Sequence, residues 1–251
     1  MSSAYISTSA GTVELDRAPE AGSASASSLG PTQHRWSPYD WNGGTVVAVA
    51  GADYAIIAAD KRLATGYSIK SRNICRVHKV NDKVMIGCGG CHADVQMLYK
   101  VFTHEATNYR FDHGEDMSVV ATAQLLSNTL YYKRFFPYYA LSVVAGLERD
   151  GSGYVAGYDA VGSYLKAREG YTANGSASAL VMPILDNAIG TIGVSSGLQE
   201  KPTYTKDEMA AIVKNAFITA GERDIMCGDA VDVYVITADG ISHEVFGLKA
   251  D

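Results

Sequence analysis

The sequence predicts an α+β fold, and three observations lead to that prediction. β-rich runs come in pairs separated by short turn sequences, which is typical of antiparallel hairpins. Helical stretches also come in pairs that follow a group of strands, rather than alternating with single strands. The chain has 251 residues, of which 47% are hydrophobic, so it is long enough to bury a substantial core. We therefore expect sheets that pack together, with helices outside them.

The first 34 residues differ in composition from the rest of the chain. They are rich in Ser, Ala, Gly and Thr, as in "AGSASASSLGPT", and contain few large apolar side chains. Such a segment buries too little apolar surface to offset the entropy lost on ordering. We predict that residues 1–35 form a mobile leader or propeptide and that residues 36–251 form one folded domain.

The first half of the domain carries a group of strands followed by two helices. The runs "TVVAVAG" and "YAIIAAD" are separated by Ala52-Asp53, which predicts a hairpin. In the first helix apolar residues recur at i, i+3 and i+4 spacing, which gives one buried face. The predicted strands cover 45–51, 54–60 and 83–90, and the predicted helices cover 93–109 and 118–134.

The second half of the domain repeats this order of strands and helices and then ends in strands. Pro183 is expected to bend a helix over 177–189. Thr205 and Glu208 form a capping-box pattern at the start of a helix that runs to about Gly221. The predicted strands cover 139–148, 153–164, 230–237 and 241–248.

The charge and cysteine content exclude several kinds of partner and environment. A formal net charge of −6 argues against nucleic acid or an anionic membrane as the main partner. Charged residues make up only 19% of the chain, so we expect partner proteins to cover part of the surface. Four cysteines are too few for a disulfide scaffold, and no secretory or membrane-spanning segment is evident. We expect the protein in the cytoplasm and nucleus.

Two short motifs suggest chemistry that the rest of the sequence does not support. Cys88 and Cys91 have the C-x-x-C spacing of half a zinc site, but no second pair of ligands is spaced to complete it. Residues 193–197 match G-x-S-x-G, but no apolar helix follows, as a nucleophile elbow requires. We therefore expect no metal site, no cofactor, and a loop over 193–197.

Several motifs, taken together and in order, resemble the beta-type subunits of the proteasome 20S core particle, which have the N-terminal nucleophile hydrolase fold. They are Gly44-Thr45, "AADKR", "GCGGCHADVQ", "LLSNTLYYKRFFPYYALSVVAGL", "GYDAVGSY", "NGSAS" and "GERDIMCGDAVDVYVIT". "RFFPYY" and "YDAVGSY" are similar to the beta-type 6 branch. The resemblance begins near Trp36 and continues to the C-terminus. It implies a four-layer αββα sandwich of two antiparallel sheets flanked by helices.

The resemblance also implies the partners of the chain. These are other beta subunits in a seven-membered ring, with beta-type 5 and beta-type 7 subunits as neighbours, the alpha-ring subunits and the opposite beta ring. The substrate of such an assembly is unfolded polypeptide in its chamber. Nucleic acid and membranes are not expected among the partners.

In active members of this family, autolysis frees an N-terminal threonine whose own amine serves as its base. The resemblance implies that an Asp follows this threonine by sixteen positions and a Lys by thirty-two. Asp60 matches the Asp, but the residue sixteen positions before it is Gly44, so Thr45 is one residue out of register. A shift of one residue turns a strand side chain to the opposite face. We therefore expect Thr45 to point away from Asp60.

The other positions of the family's site are only partly retained. Arg76 stands in the Lys position, where its bulkier guanidinium stays protonated. Ser176 and Asp224 match the family pattern, whereas Cys227 stands where active subunits have Ser. The resemblance thus implies a degenerate site in a non-catalytic structural subunit, within a complex that degrades ubiquitinated proteins.

Two alternatives of other classes stay open. The chain is an active threonine-type endopeptidase if Thr45 serves as nucleophile after removal of the propeptide. It is a stand-alone hydrolase of the same fold, such as an amidase, if it does not enter a large particle. Gel filtration and an assay with fluorescent peptides distinguish these alternatives.

One stretch is expected to act on a neighbouring subunit. In the family, substrate pockets lie at interfaces between ring neighbours, and the stretch that lends one wall matches "YDAVGSY" here. Its candidate residues are Asp159 and Ser163, with Tyr158 as a third. A different interpretation is that Asp159 only bonds its own backbone in an Asx-type turn.

Overall fold

The computed structural model describes residues 37–167, 170–190 and 203–250. The predicted leader at 1–35, Trp36 and the predicted loop at 193–197 lie outside these described residues. Of the helices within the described ranges, none is long and apolar enough to cross a membrane.

The strands and helices are numbered in chain order. They are β1 Thr45–Ala50, β2 Tyr54–Asp60, β3 Leu63–Thr65, β4 Ser68–Ser71, β5 Val77–Asn81, β6 Val84–Gly90, α1 His92–His113, α2 Val119–Tyr132, β7 Ala140–Leu147, β8 Gly153–Tyr158, β9 Tyr164–Lys166, β10 Tyr171–Gly175, α3 Ser178–Ala188, α4 Lys206–Gly221, β11 Ala230–Thr237 and β12 Gly240–Gly247.

Two five-stranded antiparallel sheets form the centre of the described structure. The first has the strand order β10-β1-β2-β11-β12, and the second has the order β5-β6-β7-β8-β9. β1 is an interior strand, in which Val46 pairs with Ala59 of β2 on one side and with Asn174 of β10 on the other. Because β1 and β2 are covered on both faces, their sequences are almost continuously apolar.

The side chains of β1 alternate between two apolar layers. Val47 and Val49 join the core beneath α3 and α4, whereas Val46 and Ala48 join the core between the two sheets. A third core lies between the second sheet and the helices α1 and α2. The layers therefore run helices, sheet, sheet, helices, which confirms the predicted αββα sandwich.

The structure divides one predicted strand and adds several short ones. The strand predicted over 153–164 is two strands, because the Asp159 carboxylate accepts the N–H groups of Val161 and Ser163 and turns the chain. Strands β3, β4, β5 and β10 were not predicted, since runs of three to five residues are too short to show a periodicity. The capping box of Thr205 and Glu208 is confirmed at the start of α4.

We expect Phe217→Ala to destabilise the fold strongly. Phe217 is fully buried on α4, in the core beneath α3 and α4, so its truncation removes about 3 to 5 kcal/mol from the free energy of unfolding. Ile218→Ala on the same helix is the matched control, because Ile218 is 49% exposed. Urea unfolding of both variants measures the difference. Equal stabilities would contradict the packing described here.

Candidate active site

The candidate site lies at the start of β1, where two glycines lead into Thr45. Gly44 and Thr45 are both buried. The pairing of β1 with β10 sets Thr45 opposite Gly175, and the pairing with β2 sets it beside the strand end at Asp60. Ser176 follows Gly175 at the end of β10. Sheet register thus gathers these distant residues around one peptide bond, Gly44–Thr45.

Arg76 fills the space that faces Gly44. A Cβ atom added to Gly44 would overlap the guanidinium group of Arg76. Gly44 also has φ of +89°, a backbone conformation that side chains of L residues rarely adopt. The guanidinium is buried, and its Nη2 donates hydrogen bonds to the backbone carbonyls of Arg62 and Asn42. Position 44 therefore has no room for a side chain while Arg76 keeps this place.

Asp60 forms a buried ion pair with Arg76. The Oδ1 atom of Asp60 lies 3.4 Å from Nε of Arg76 and accepts the backbone N–H of Thr45 at 2.7 Å. Its Oδ2 atom and Nε of Arg76 have no hydrogen-bond partner among the described residues. Burial raises the pKa of Asp60 to about 6, and the charge of Arg76 and the N–H of Thr45 only partly oppose this effect. The carboxyl is therefore held in a weakly solvated and incompletely bonded state.

The hydroxyl of Thr45 has other partners than Asp60. Its Oγ1 accepts the backbone N–H of Ala177 at 3.0 Å and lies 3.5 Å from Oγ of Ser176. The prediction that Thr45 points away from Asp60 concerned its side chain, and no hydrogen bond joins the Thr45 hydroxyl to Asp60 among the described residues. The backbone N–H of Thr45 does donate to that carboxylate, a contact that counting positions along the chain did not predict. The antiparallel register of β1 and β2 brings the two residues side by side.

The remaining positions of the site form contacts within the fold. The N–H of Ser176 donates to the carbonyl of Gly44 at 3.0 Å, and Oδ1 of Asp224 accepts the N–H of Met226 at 3.0 Å. Burial raises the pKa of the Cys227 thiol well above its usual range, and the charges of the two nearby carboxylates raise it further. The thiol of Cys227 stays protonated, so it is a poor nucleophile.

Glycines surround the carbonyl of Gly44, and this role of theirs was not predicted from the sequence. A Cβ atom at Gly89 would lie 2.8 Å from this carbonyl oxygen, and one at Gly175 would overlap it. The carbonyl of Gly43 accepts the N–H of Gly90 at 3.0 Å. Glycines at the ends of β6 and β10 indicate such a close approach of backbones, and this signal was present in the sequence.

The three residues expected to face a neighbouring subunit differ in exposure. Asp159 and Ser163 are exposed, and Oδ1 of Asp159 accepts the N–H of Ser163 at 2.8 Å. Tyr158 was a wrong choice, because it is only 3% exposed and its hydroxyl donates to the carbonyl of Ala123 at 2.8 Å. Tyr158 packs inside this chain, against α2.

The two cysteines of the C-x-x-C motif are buried. The thiol of Cys88 donates to Oγ of Ser142 at 3.3 Å, and burial raises its pKa to about 11. Within residues 37–167, 170–190 and 203–250, no group of three or more His, Cys, Asp or Glu side chains is placed to hold a metal ion. In the described structure Cys88 and Cys91 are core residues.

Comparison with known proteins identifies the family of the chain. The family model described as proteasome subunit matches residues 41–236. "Proteasome subunit beta type-1" of Arabidopsis thaliana is 48% identical over 222 residues, which are 87% of this chain and 99% of the relative. The Danio rerio protein of the same description is 42% identical, over 88% of this chain and 92% of the relative. "Proteasome subunit beta type-6" of Saccharomyces cerevisiae is 37% identical, over 91% and 97%. The chain therefore belongs to the proteasome subunit family, as a beta-type subunit.

Proposed function

We propose that the chain is a non-catalytic, structural subunit of the beta ring in the 20S proteasome core. One observation carries this proposal. The guanidinium of Arg76 occupies the volume into which a side chain at position 44 would project, and position 44 is where the family pattern requires the nucleophilic threonine. The chain contributes the fold and its surfaces to the complex, and other subunits cut the substrate.

Neither Arg76 nor Thr45 supplies the missing chemistry. A guanidinium stays protonated at neutral pH, so Arg76 accepts no proton from a hydroxyl. The nitrogen of Thr45 is a peptide amide that donates to Asp60, and an amide nitrogen has no basic lone pair. The carbonyl of Gly44 on the other side of this bond accepts from Ser176. In the uncut chain these contacts hold the Gly44–Thr45 bond on both sides.

The setting of this subunit follows from the family. We propose a seven-membered beta ring with beta-type 5 and beta-type 7 subunits beside the chain, contacts with the alpha ring and the opposite beta ring, and unfolded polypeptide as the substrate of the complex. The proposed location is the cytoplasm and nucleus, which the small number of cysteines supports.

A second candidate function is an active threonine peptidase that uses Thr45. The observation in its favour is that the Thr45 nitrogen lies 2.7 Å from Asp60, and its hydroxyl 3.5 Å from Ser176. This function requires cleavage of the Gly44–Thr45 bond, since only then does Thr45 gain a free amine.

We expect the mature subunit, isolated from the particle, to begin upstream of Trp41. The reason is that the contacts of Arg76 and Ser176 favour an uncut Gly44–Thr45 bond. Mass spectrometry of the intact subunit measures its first residue, and a catalytic subunit of the same particle is the control. A first residue at Thr45 would favour the second candidate function and contradict the proposal.

Gly44→Thr should create no peptidase activity and should lower stability. The new side chain overlaps Arg76 and requires a left-handed φ. We expect the backbone strain to lower the free energy of unfolding by about 1 to 3 kcal/mol. Adding Arg76→Lys relieves the overlap, so we expect the double variant to melt at a higher temperature than Gly44→Thr. Hydrolysis of fluorogenic peptides by the single variant, blocked by a threonine-directed inhibitor, would contradict the inference that Arg76 prevents catalysis at position 44.

Asp159 is proposed, with Ser163, to form part of a neighbouring subunit's substrate pocket. Asp159→Asn keeps the Oδ1 acceptor of the turn but removes the charge, whereas Asp159→Ala removes both. We expect Asp159→Asn to shift the neighbour's relative kcat/KM between basic and acidic peptides, because an acidic wall disfavours like charge. Unchanged relative kcat/KM in an intact particle would mean that Asp159 only forms the turn.

A further inference from the structure

Three buried polar atoms around the start of β1 have no hydrogen-bond partner among the described residues. They are Oδ2 of Asp60, Nε of Arg76 and Oδ2 of Asp224. Such atoms are rare in folded proteins, because a buried polar group without a partner is strongly unfavourable. Two of the three are carboxylate oxygens, which accept hydrogen bonds, and the third is an N–H group, which donates one.

The three atoms belong to one cluster of side chains. Oδ1 of Asp60 lies 3.4 Å from Nε of Arg76, but no hydrogen bond joins these two atoms. Burial raises the pKa of Asp60, and the charge of Asp224 raises it further, so the two carboxylates are close enough to interact. Both carboxylates also raise the pKa of the Cys227 thiol, after the larger effect of burial. Asp60, Arg76 and Asp224 therefore lie around one buried region beside Cys227.

The guanidinium of Arg76 keeps a positive charge in this region but does not supply the carboxylates with donors. Its Nη2 donates to the backbone carbonyls of Arg62 and Asn42. The family pattern has Lys at this position, and a Lys ammonium carries three donors on one nitrogen that can turn toward acceptors around it. The N–H groups of an Arg point in fixed directions in one plane. With Arg at position 76, the two Oδ2 atoms therefore lack a donor.

The ligand that fits the three atoms needs two donors and one acceptor. One water molecule has both, and buried waters typically make about three hydrogen bonds to polar groups that have no other partner. A metal cation could bind the carboxylate oxygens, but it cannot accept the N–H of Arg76 and would lie beside a guanidinium. An anion could accept that N–H, but the carboxylates of Asp60 and Asp224 would repel it. The count of donors and acceptors favours water.

We propose that one buried water molecule bridges Asp60, Arg76 and Asp224, donating to the two Oδ2 atoms and accepting from Nε. The water supplies the donors that the carboxylates lack when Arg stands in the Lys position, and it separates two like charges. This inference rests on the place of Arg76 beside Gly44, as the proposed function does, but it does not rest on membership of a ring.

A density map at a resolution that shows ordered waters tests the proposal on the full-length protein as purified from cells. We expect a peak at hydrogen-bond distance, about 2.6 to 3.2 Å, from each of the three atoms. A metal ion would lie closer to the carboxylate oxygens and would make no contact with Nε. The inference is overturned by a metal ion at this place, by the lack of a peak, or by protein atoms that bond the three groups.

Asp224→Asn distinguishes water from a cation. Oδ1 of Asp224 accepts the N–H of Met226, so the amide NH₂ of the variant takes the place of Oδ2. A water molecule can accept from this NH₂ while it donates to Asp60, and we expect the peak to remain. A cation would lose an oxygen ligand, so loss of the peak overturns the inference. In Asp224→Leu an apolar group replaces the acceptor, and the peak should disappear. A peak that persists there would show that Asp224 is not a partner of the water.

Thermal melting of the full-length chain provides an independent measurement. A cation that binds the folded state raises Tm as its concentration rises, whereas a water site gives no such dependence. We expect equal Tm values in sodium, potassium and choline chloride at equal ionic strength. An increase that is specific to one cation, and that Asp224→Asn abolishes, overturns the inference.

The outcomes separate this inference from the proposed function. A map with the guanidinium beside Gly44 and no bridging water overturns this inference alone. A first residue at Thr45 in a protein that holds the water contradicts the proposed function alone. A guanidinium that has left Gly44, in a protein whose first residue is Thr45, contradicts both.

Discussion

The structure around the candidate site depends on the buried ion pair between Asp60 and Arg76. Both side chains are removed from water, and transfer of charges into a protein interior is unfavourable unless each charge has partners. Arg76 gains carbonyl partners from Asn42 and Arg62 only by lying across the start of β1. This place is available because Gly44 has no side chain. The ion pair in this position therefore needs a glycine at position 44, and Arg76 fills the space that this glycine leaves.

The backbone supplies the contacts that side chains supply in a working threonine site. The N–H of Thr45 donates to Asp60, and the N–H of Ser176 donates to the carbonyl of Gly44. Glycines at 89 and 175 let neighbouring strands approach that carbonyl closely. Each of these contacts holds the peptide bond before Thr45 without providing a proton acceptor for a hydroxyl. The arrangement holds the start of β1 between the neighbouring strands.

The outer surface of the domain has the opposite character. The polar groups of the candidate site are buried, whereas aromatic rings and the side chains of Lys133 and Arg134 are exposed at the end of α2 and in the loop that follows it. Exposed apolar surface favours association because its removal from water is favourable. The Asp159 turn is a second exposed feature, and it is held by its own backbone rather than by the core.

The sequence by itself determined the layers of the fold and the identity of the changed site residues. Continuous apolar runs in β1 and β2 require burial on both faces, and Thr205 with Glu208 defines the start of α4. Together with the family resemblance, sequence spacing also predicted that Gly44 and Arg76 stand at the positions of the nucleophile and the lysine. Only the tertiary structure decided that the guanidinium enters the space beside Gly44, that Thr45 donates to Asp60, and that Tyr158 is internal. The physical reason is that periodicity reports which face of an element is buried, whereas strand register and packing between layers decide which distant groups come into contact.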